Sequence, residues 1–346
     1  MSEQQPLTYA GVGINLTERQ RTVSRFREVA RVAARPEVLS GIGPFAGMFA
    51  LASKYTDPVI VSTTDTVGTK GKIAALVGGY EGLGHDIVNH CINDAFTTGA
   101  EPLFFMDTIV SSDLTPDAKV ALVKGVADAC AAQGIALLGG ETADMPGTYY
   151  PGAFDLIGFI VGVVERSKLI DGMGIEAGDL LFGLPSNGLH TNGYTLARAA
   201  LGIGIEGADP AEARRRLETH NEDLGETLGD ALLRPHHCYL PDLKPALPVI
   251  KGMAHITGGG FEENMPRILP EGLGCRIDKS AWTVPPIFPL IQREGGIETE
   301  EMYRVFNMGI GMVMAVSPAD ADTLRASVPG VLPVGEVTDT PGVVLE

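Results

Sequence analysis

The sequence predicts an α/β (α+β) protein built as two domains, and three observations carry that expectation. The chain has 346 residues, 45% of them apolar and 20% charged, which is more material than one ordinary core needs. Short apolar runs of strand length alternate with longer stretches of helical period along the whole chain. The alternation breaks near residues 168–178 and then starts afresh, so the domains are expected at 1–168 and 169–346. The order of strands within either sheet is not readable from this pattern.

In the first half, residues 17–34 read as a helix. Thr17 and Gln20 have capping-box spacing, Val23, Phe26, Ala30 and Ala33 make an apolar stripe, and Pro36 ends it. The run 58–64 reads as a buried strand. Residues 83–98 read as a helix stopped by Gly99, with Ile87, Cys91 and Ala95 on one face and Asp86, His90 and Asn93 or Asp94 near another. A strand is expected at 103–109. The next helix has Thr115 as cap, Pro116 at its first position and Gly134 beyond its end. "IALLGG" reads as a short buried strand delivering Glu141, and 154–165 as a longer strand closing the half.

In the second half, "DLLFGLPSNGLHTNGY" opens a strand–loop–helix unit, and helices are expected around 212–233. A Pro-rich approach at 241–248 precedes "AHITGGGF", a strand running into glycines ahead of a helix. The tail alternates over 273–278, 285–294, 299–306, 310–317, 318–327 and 331–337.

The net charge of −17 opposes nucleic-acid binding, which selects basic surface. No run of eighteen apolar residues is present, and the opening "MSEQQPLTYAG" lacks the regions of a secretory signal. Cys91, Cys130, Cys238 and Cys275 form no CxxC pair, as expected for free buried thiols in a reducing cytoplasm.

The stretch "STTDTVGTK" resembles a phosphate loop but lacks its glycine spacing. It leaves a strand on Asp65, turns through Gly68 and Thr69 and reaches Lys70. Asp94 late in a helix and Glu141 after "LLGG" are comparable acidic positions. Three carboxylates sharing a pocket need a cation between them, and oxygen donors suit Mg²⁺ (magnesium) held together with phosphates. Gly68 would then bring backbone N–H groups to phosphate, and Lys70 would meet its charge. An aspartate after a strand is equally an ordinary turn residue, and Glu141 could cap a helix, so spacing alone leaves both readings open.

Taken together and in order, "TTDTVGTK", "CINDAFTTGAEPLFFMD", "GGETADMPGTY", "SNGLHTNGYTLAR" and "HITGGGFEENMPRILP" closely resemble the phosphoribosylformylglycinamidine cyclo-ligase (aminoimidazole ribonucleotide synthetase) family from about Tyr9 onward. The resemblance implies ATP-dependent closure of an imidazole ring from formylglycinamidine ribonucleotide, through an iminophosphate-like intermediate. It implies a cytoplasmic homodimer, with N-terminal strands of both chains in a shared barrel and ATP near the interface. By the same resemblance Asp65, Asp94 and Glu141 hold metal and nucleotide, joined by Gly68, Thr69, Lys70 and Asn93. Lys70, Asp94 and His190 act in catalysis, His190 by proton transfer. His190, Asn192, Gly193, Gly258, Gly259 and Gly260 line the substrate side.

By spacing alone His190 also reads as a cap or loop histidine, and His255 as core filler or ligand. His236 and His237 read as structural, since neighbours on one strand point oppositely. Three positions depart from the family's usual pattern: Asn15, Arg27 and His237. The alternatives are another enzyme of the superfamily, a thiamine-monophosphate kinase or selenophosphate synthetase, or a silent nucleotide-binding paralogue. The first cysteine, Cys91, falls within a helix, against the synthetase. Asp65 is flanked by Thr64 and Thr66 rather than by a second aspartate, against the kinase.

Overall fold

The computed structural model describes residues 16–51 and 53–346; Asn15 therefore lies outside the described residues. The first half runs α1 (Leu16–Val29), β1 (Pro58–Thr66), α2 (Lys70–Val77), α3 (Tyr80–Phe96), β2 (Glu101–Ser111), α4 (Pro116–Ala132), β3 (Ala136–Asp144) and β4 (Phe154–Glu165). Thr115 caps α4 by accepting from the Ala118 N–H, with Pro116 just inside. The strands form a mixed sheet in the order β1-β4-β2-β3. Among the described strands of this sheet β2 and β3 form the parallel pair, as expected for strands joined through a crossover helix.

Helices α3 and α4 cover one face of this sheet, where Leu83, Ile87, Cys91, Phe105, Ile109 and Ile160 are buried. They pack closely because an added Cβ at Gly125 would stand 2.0 Å from the Glu81 carbonyl oxygen. Among the described residues the opposite face has no helix on it: Ile60 is 58% and Phe159 36% exposed, and Phe104 and Met106 are half-buried. The run 58–64 is thus not a buried strand. It is an edge strand whose alternate residues Ile60, Ser62 and Thr64 lie on the uncovered face.

Register puts Asp65, Gly158, Asp107 and Gly140 in one cross-strand row. Asp107 faces the helices and is buried, which pushes its carboxyl pKa up to about 7. A carboxyl raised above its unfolded value of about 3.9 binds an extra proton in the folded state. Its contribution to stability is therefore full below the unfolded pKa and lost as pH rises through the folded one. Asp107→Asn should be more stable than the wild type at pH 8 by up to about 4 kcal/mol and nearly equal to it at pH 4. Urea unfolding at the two pH values checks this; a gap independent of pH would contradict it.

In the second half a six-stranded sheet has the order β12-β9-β11-β5-β10-β8. Its strands are β5 (Leu180–Pro185), β8 (Ile250–His255), β9 (Gly274–Ile277), β10 (Ile310–Val316), β11 (Leu332–Thr338) and β12 (Gly342–Leu345). A two-residue hairpin, β6 (His220–Asn221) and β7 (Glu226–Thr227), splits the helical region expected at 212–233. Every residue of β10 is buried. On one face Val313 and Ala315 join Ala197 and Leu201 of α5 (Tyr194–Leu201) and Phe288, Ile291 and Met302 of later helices. On the other, Met312, Met314 and Val316 belong to the same apolar cluster as Phe105 and Ile109 of the first half. The two sheets thus share a continuous core, and the cleft described next opens at its edge.

Candidate active site

A cleft of about 590 Å³ is walled by both halves. Asp65, His90 and Asp94 contribute from the first half, and Asn192, His255, Gly258, Asn264 and Arg267 from the second. Asp65 comes from the end of β1, where pleating turns it toward α3. His90 and Asp94 lie one turn apart on α3, which puts them on one face. His255 ends β8, and the segment after it carries Gly258 past Asn192.

Hydrogen bonds link these groups in one directed chain. His90 Nε2 donates to Asp65 Oδ2 at 2.9 Å, and His90 Nδ1 donates to Thr191 Oγ1 at 2.5 Å. The Thr191 hydroxyl donates to His236 Nδ1 at 3.3 Å. His236 Nε2 donates to His255 Nε2 at 3.1 Å, and His255 Nδ1 donates to Asp94 Oδ1 at 2.7 Å. These donor roles hold for one set of tautomers: with His236 and His255 neutral, the single Thr191 proton goes to His236 and His90 carries both of its ring protons.

The electrostatics agree. Burial disfavours the charge on His90, but the Asp65 bond and the charges of Asp94 and Asp65 outweigh it and raise the pKa. Burial pushes His236 well down, and pushes His255 down against the opposing Asp94 bond. Burial works to raise Asp65 and Asp94, yet their histidine partners hold both carboxyls below the usual range. Two ionised carboxylates therefore approach one imidazole nitrogen, at 2.9 and 3.8 Å, with about a third of each side chain open to the cleft. The Arg267 charge also acts on Asp94.

Several expected site residues stand elsewhere. Lys70 is fully buried against Asp86, at 2.8 Å from Oδ2. It also donates to the carbonyls of His190 at 3.1 Å and Arg234 at 2.8 Å, so no N–H is left for a phosphate. Asn93 is buried too, accepting from the Tyr239 N–H and donating to the His237 carbonyl, both at 2.8 Å. Glu141 belongs to the row of Thr108, Ile157 and Thr66, one residue from the row of Asp65. Alternation places it on the uncovered face of the sheet, exposed and 3.8 Å from Arg19. Within one chain it cannot share an ion with Asp65 and Asp94.

His190 is buried and lines no part of the cleft. Gly193 packs on Phe306, and at Gly260 a Cβ would stand 1.9 Å from the Tyr303 carbonyl oxygen. These glycines, with Gly259, serve tight packing and turns, whereas Gly258 and Asn192 do line the cleft. Gly68 is an exposed turn at φ 55, and Thr69 Oγ1 meets Thr195 Oγ1 at 3.2 Å. Arg27 donates to the Ile42 carbonyl at 2.9 Å and lines a separate cleft with Arg31 and Arg35.

Sequence comparison gives the family. The model described as AIR synthase related protein, N-terminal domain, matches residues 47–164, and the one for the C-terminal domain matches 176–346. A phosphoribosylformylglycinamidine cyclo-ligase of Geobacillus thermodenitrificans is 46% identical over 97% of this chain and 96% of its own. The chain belongs to the phosphoribosylformylglycinamidine cyclo-ligase family. A cyclo-ligase of Thermoanaerobacter sp. is 42% identical over 98% of this chain and all of its own. Among solved structures, the fold is similar to thiamine-monophosphate kinase from Stenotrophomonas maltophilia. That match has a TM-score of 0.63 at 17% identity, covering 94% of this chain and 95% of that one. Hydrogenase maturation protein HypE in complex with ATP matches with a TM-score of 0.60 at 16% identity, covering 96% and 92%.

Set in this cyclo-ligase family, the site holds residues that sequence reasoning missed. His90 was visible only as part of a polar helix face, and Arg267 carried no signal. His236 and His237 point oppositely, as expected: His237 is exposed with Nε2 2.6 Å from Asp242 Oδ2, while His236 faces inward.

Proposed function

We propose that this chain uses ATP to close the imidazole ring of aminoimidazole ribonucleotide from formylglycinamidine ribonucleotide. The observation that carries the reading is the cleft itself: an ionised Asp65–Asp94 pair faces Arg267, Asn192 and Gly258 across a space walled by both halves. The formyl amide oxygen takes the γ-phosphoryl group as ADP leaves and the amide nitrogen gives up its proton, giving an iminophosphate-like species. The amidine nitrogen attacks that carbon and loses a proton, and phosphate departs with the former formyl oxygen.

Phosphoryl transfer depends on positioning and charge neutralisation. The donor set of Asp65 and Asp94, hard carboxylate oxygens held in the ionised form, fits Mg²⁺, and these two residues would hold it. The ion would supply charge neutralisation at the transferring phosphate. Arg267 and the Gly258 segment suit the ribose phosphate, and a cleft walled by both halves holds the two reacting ends of the substrate together. HypE, whose fold is similar, has been solved with ATP.

The uncovered sheet face with Ile60 and Phe159 fits pairing with a second copy, as a homodimer closing a shared barrel. No helix among the described residues is long and apolar enough to cross a membrane, in keeping with a cytoplasmic enzyme. A coupled ADP-release assay tests the function. Turnover is expected with formylglycinamidine ribonucleotide and not with thiamine phosphate; the reverse would overturn the reading.

A further inference from the structure

Three imidazoles meet behind the Asp94 wall of the cleft. His236 Nε2 and His255 Nε2 are 3.1 Å apart, and one ring nitrogen each of His190, His236 and His255 lie within 4.8 Å of one another. All three residues are buried, at 2%, 1% and 6% exposure for His190, His236 and His255. His190 is the unexplained member, because neither of its ring nitrogens has a hydrogen-bond partner. Buried polar groups are nearly always paired, and an orphan calls for a missing water or ion. The ring stacks on His236 with centroids 4.0 Å apart, and its backbone is held in the left-handed region at φ 61.

We propose that His190, His236 and His255 form a binding site for a late first-row divalent cation of the Zn²⁺ class. Imidazole nitrogen is a ligand these cations favour, bound at about 2.0–2.1 Å, which in a tetrahedral shell sets ligand nitrogens about 3.3 Å apart. The His236–His255 pair already has nearly that spacing, and turning the His190 ring out of its stack on His236 completes three donors. The ion takes the place of the proton between His236 and His255 and uses the lone pair that His190 leaves unpaired; His236 then carries its proton on Nδ1 and donates it to Thr191 Oγ1, the Thr191 hydroxyl turns to His90 Nδ1, and His90 releases one proton.

The outer shell is present as well. Asp94 Oδ1 lies 2.7 Å from His255 Nδ1, and Thr191 Oγ1 lies 3.3 Å from His236 Nδ1. Partners of this kind orient metal-binding imidazoles. A bound ion would fix His255 and through it Asp94, tying the two walls of the cleft. This site is separate in donor chemistry from the Asp65–Asp94 carboxylates and does not depend on which reaction the cleft performs.

The test titrates chelator-stripped full-length protein with Co²⁺ alone. One Co²⁺ per chain is expected, with the visible absorption of a tetrahedral nitrogen-ligated ion, and binding should persist in a large excess of Mg²⁺. His236→Asn should weaken binding by at least about tenfold. His190→Asn should do the same, and it removes a ligand without breaking a side-chain hydrogen bond; circular dichroism of the variant confirms that it folds. His237→Asn, altering the exposed neighbour, should leave affinity unchanged. Absence of Co²⁺ binding, displacement by Mg²⁺, or equal affinity in wild type and the His190 and His236 variants would overturn the site.

Discussion

Asparagine in place of Asp94 should lower ATP-dependent turnover by about 10²- to 10³-fold while leaving the melting temperature close to that of the wild type. The two effects separate because Asp94 has two roles. As a hydrogen-bond acceptor it holds His255 Nδ1 at 2.7 Å, and the amide oxygen of asparagine accepts that bond equally well. As a charge it stands beside Asp65 in the cleft, with the His255 bond offsetting burial to keep it ionised. Asparagine removes only the charge, and with it half of the anionic pair available to a cation carrying a triphosphate. The Mg²⁺ concentration needed for half-maximal rate should rise as well. Steady-state rates across a Mg²⁺ series check this, and turnover within about twofold of wild type would remove Asp94 from the nucleotide site.

Lys70→Met should act on the fold rather than on a phosphate contact, with a loss of about 3–5 kcal/mol. Lys70 and Asp86 are both completely buried and in contact. Burial pushes the lysine pKa down and the aspartate pKa up, each opposed by the other's charge. Methionine matches the lysine stem in volume but leaves the Asp86 carboxylate without its cation. It also strips a donor from the His190 and Arg234 carbonyls. Adding Asp86→Asn should recover part of the loss, because the amide oxygen still accepts the His236 N–H that Asp86 receives at 2.7 Å. Urea unfolding of the single and double variants decides the matter. A fully stable Lys70→Met enzyme with a defect confined to ATP use would restore Lys70 as a nucleotide ligand.

These two residues mark the boundary of what the sequence discloses. Asp94 could be read because a helix period fixes its neighbours: His90 lies one turn earlier, and both must share a face. The long periodic elements were legible for the same reason, β4 over its full length (Phe154–Glu165). Lys70 was misleading because the partner that captures it, Asp86, lies on the next helix, and only packing brings the two together. The helix that Lys70 begins and β12 carry no clear sequence signal; both are short, eight and four residues. Glu141 was misplaced by a single residue of register, which moves a side chain to the other face of a sheet. The His236–His255 contact joins an extended segment to the end of β8, and no local pattern encodes such a meeting.

Asp65 and Asp94, without Glu141 of the same chain, are proposed to hold the cation that accompanies the nucleotide. A crystal structure of the full-length protein with Mn²⁺ and a non-hydrolysable ATP analogue, using anomalous scattering to place the ion, tests it most directly. Mn²⁺ is expected in the cleft, bound to oxygens of Asp65 and Asp94 and to the analogue's phosphates. An ion on Glu141 at the uncovered face of the first sheet, with both aspartates still bonded only to their histidines, would contradict the account.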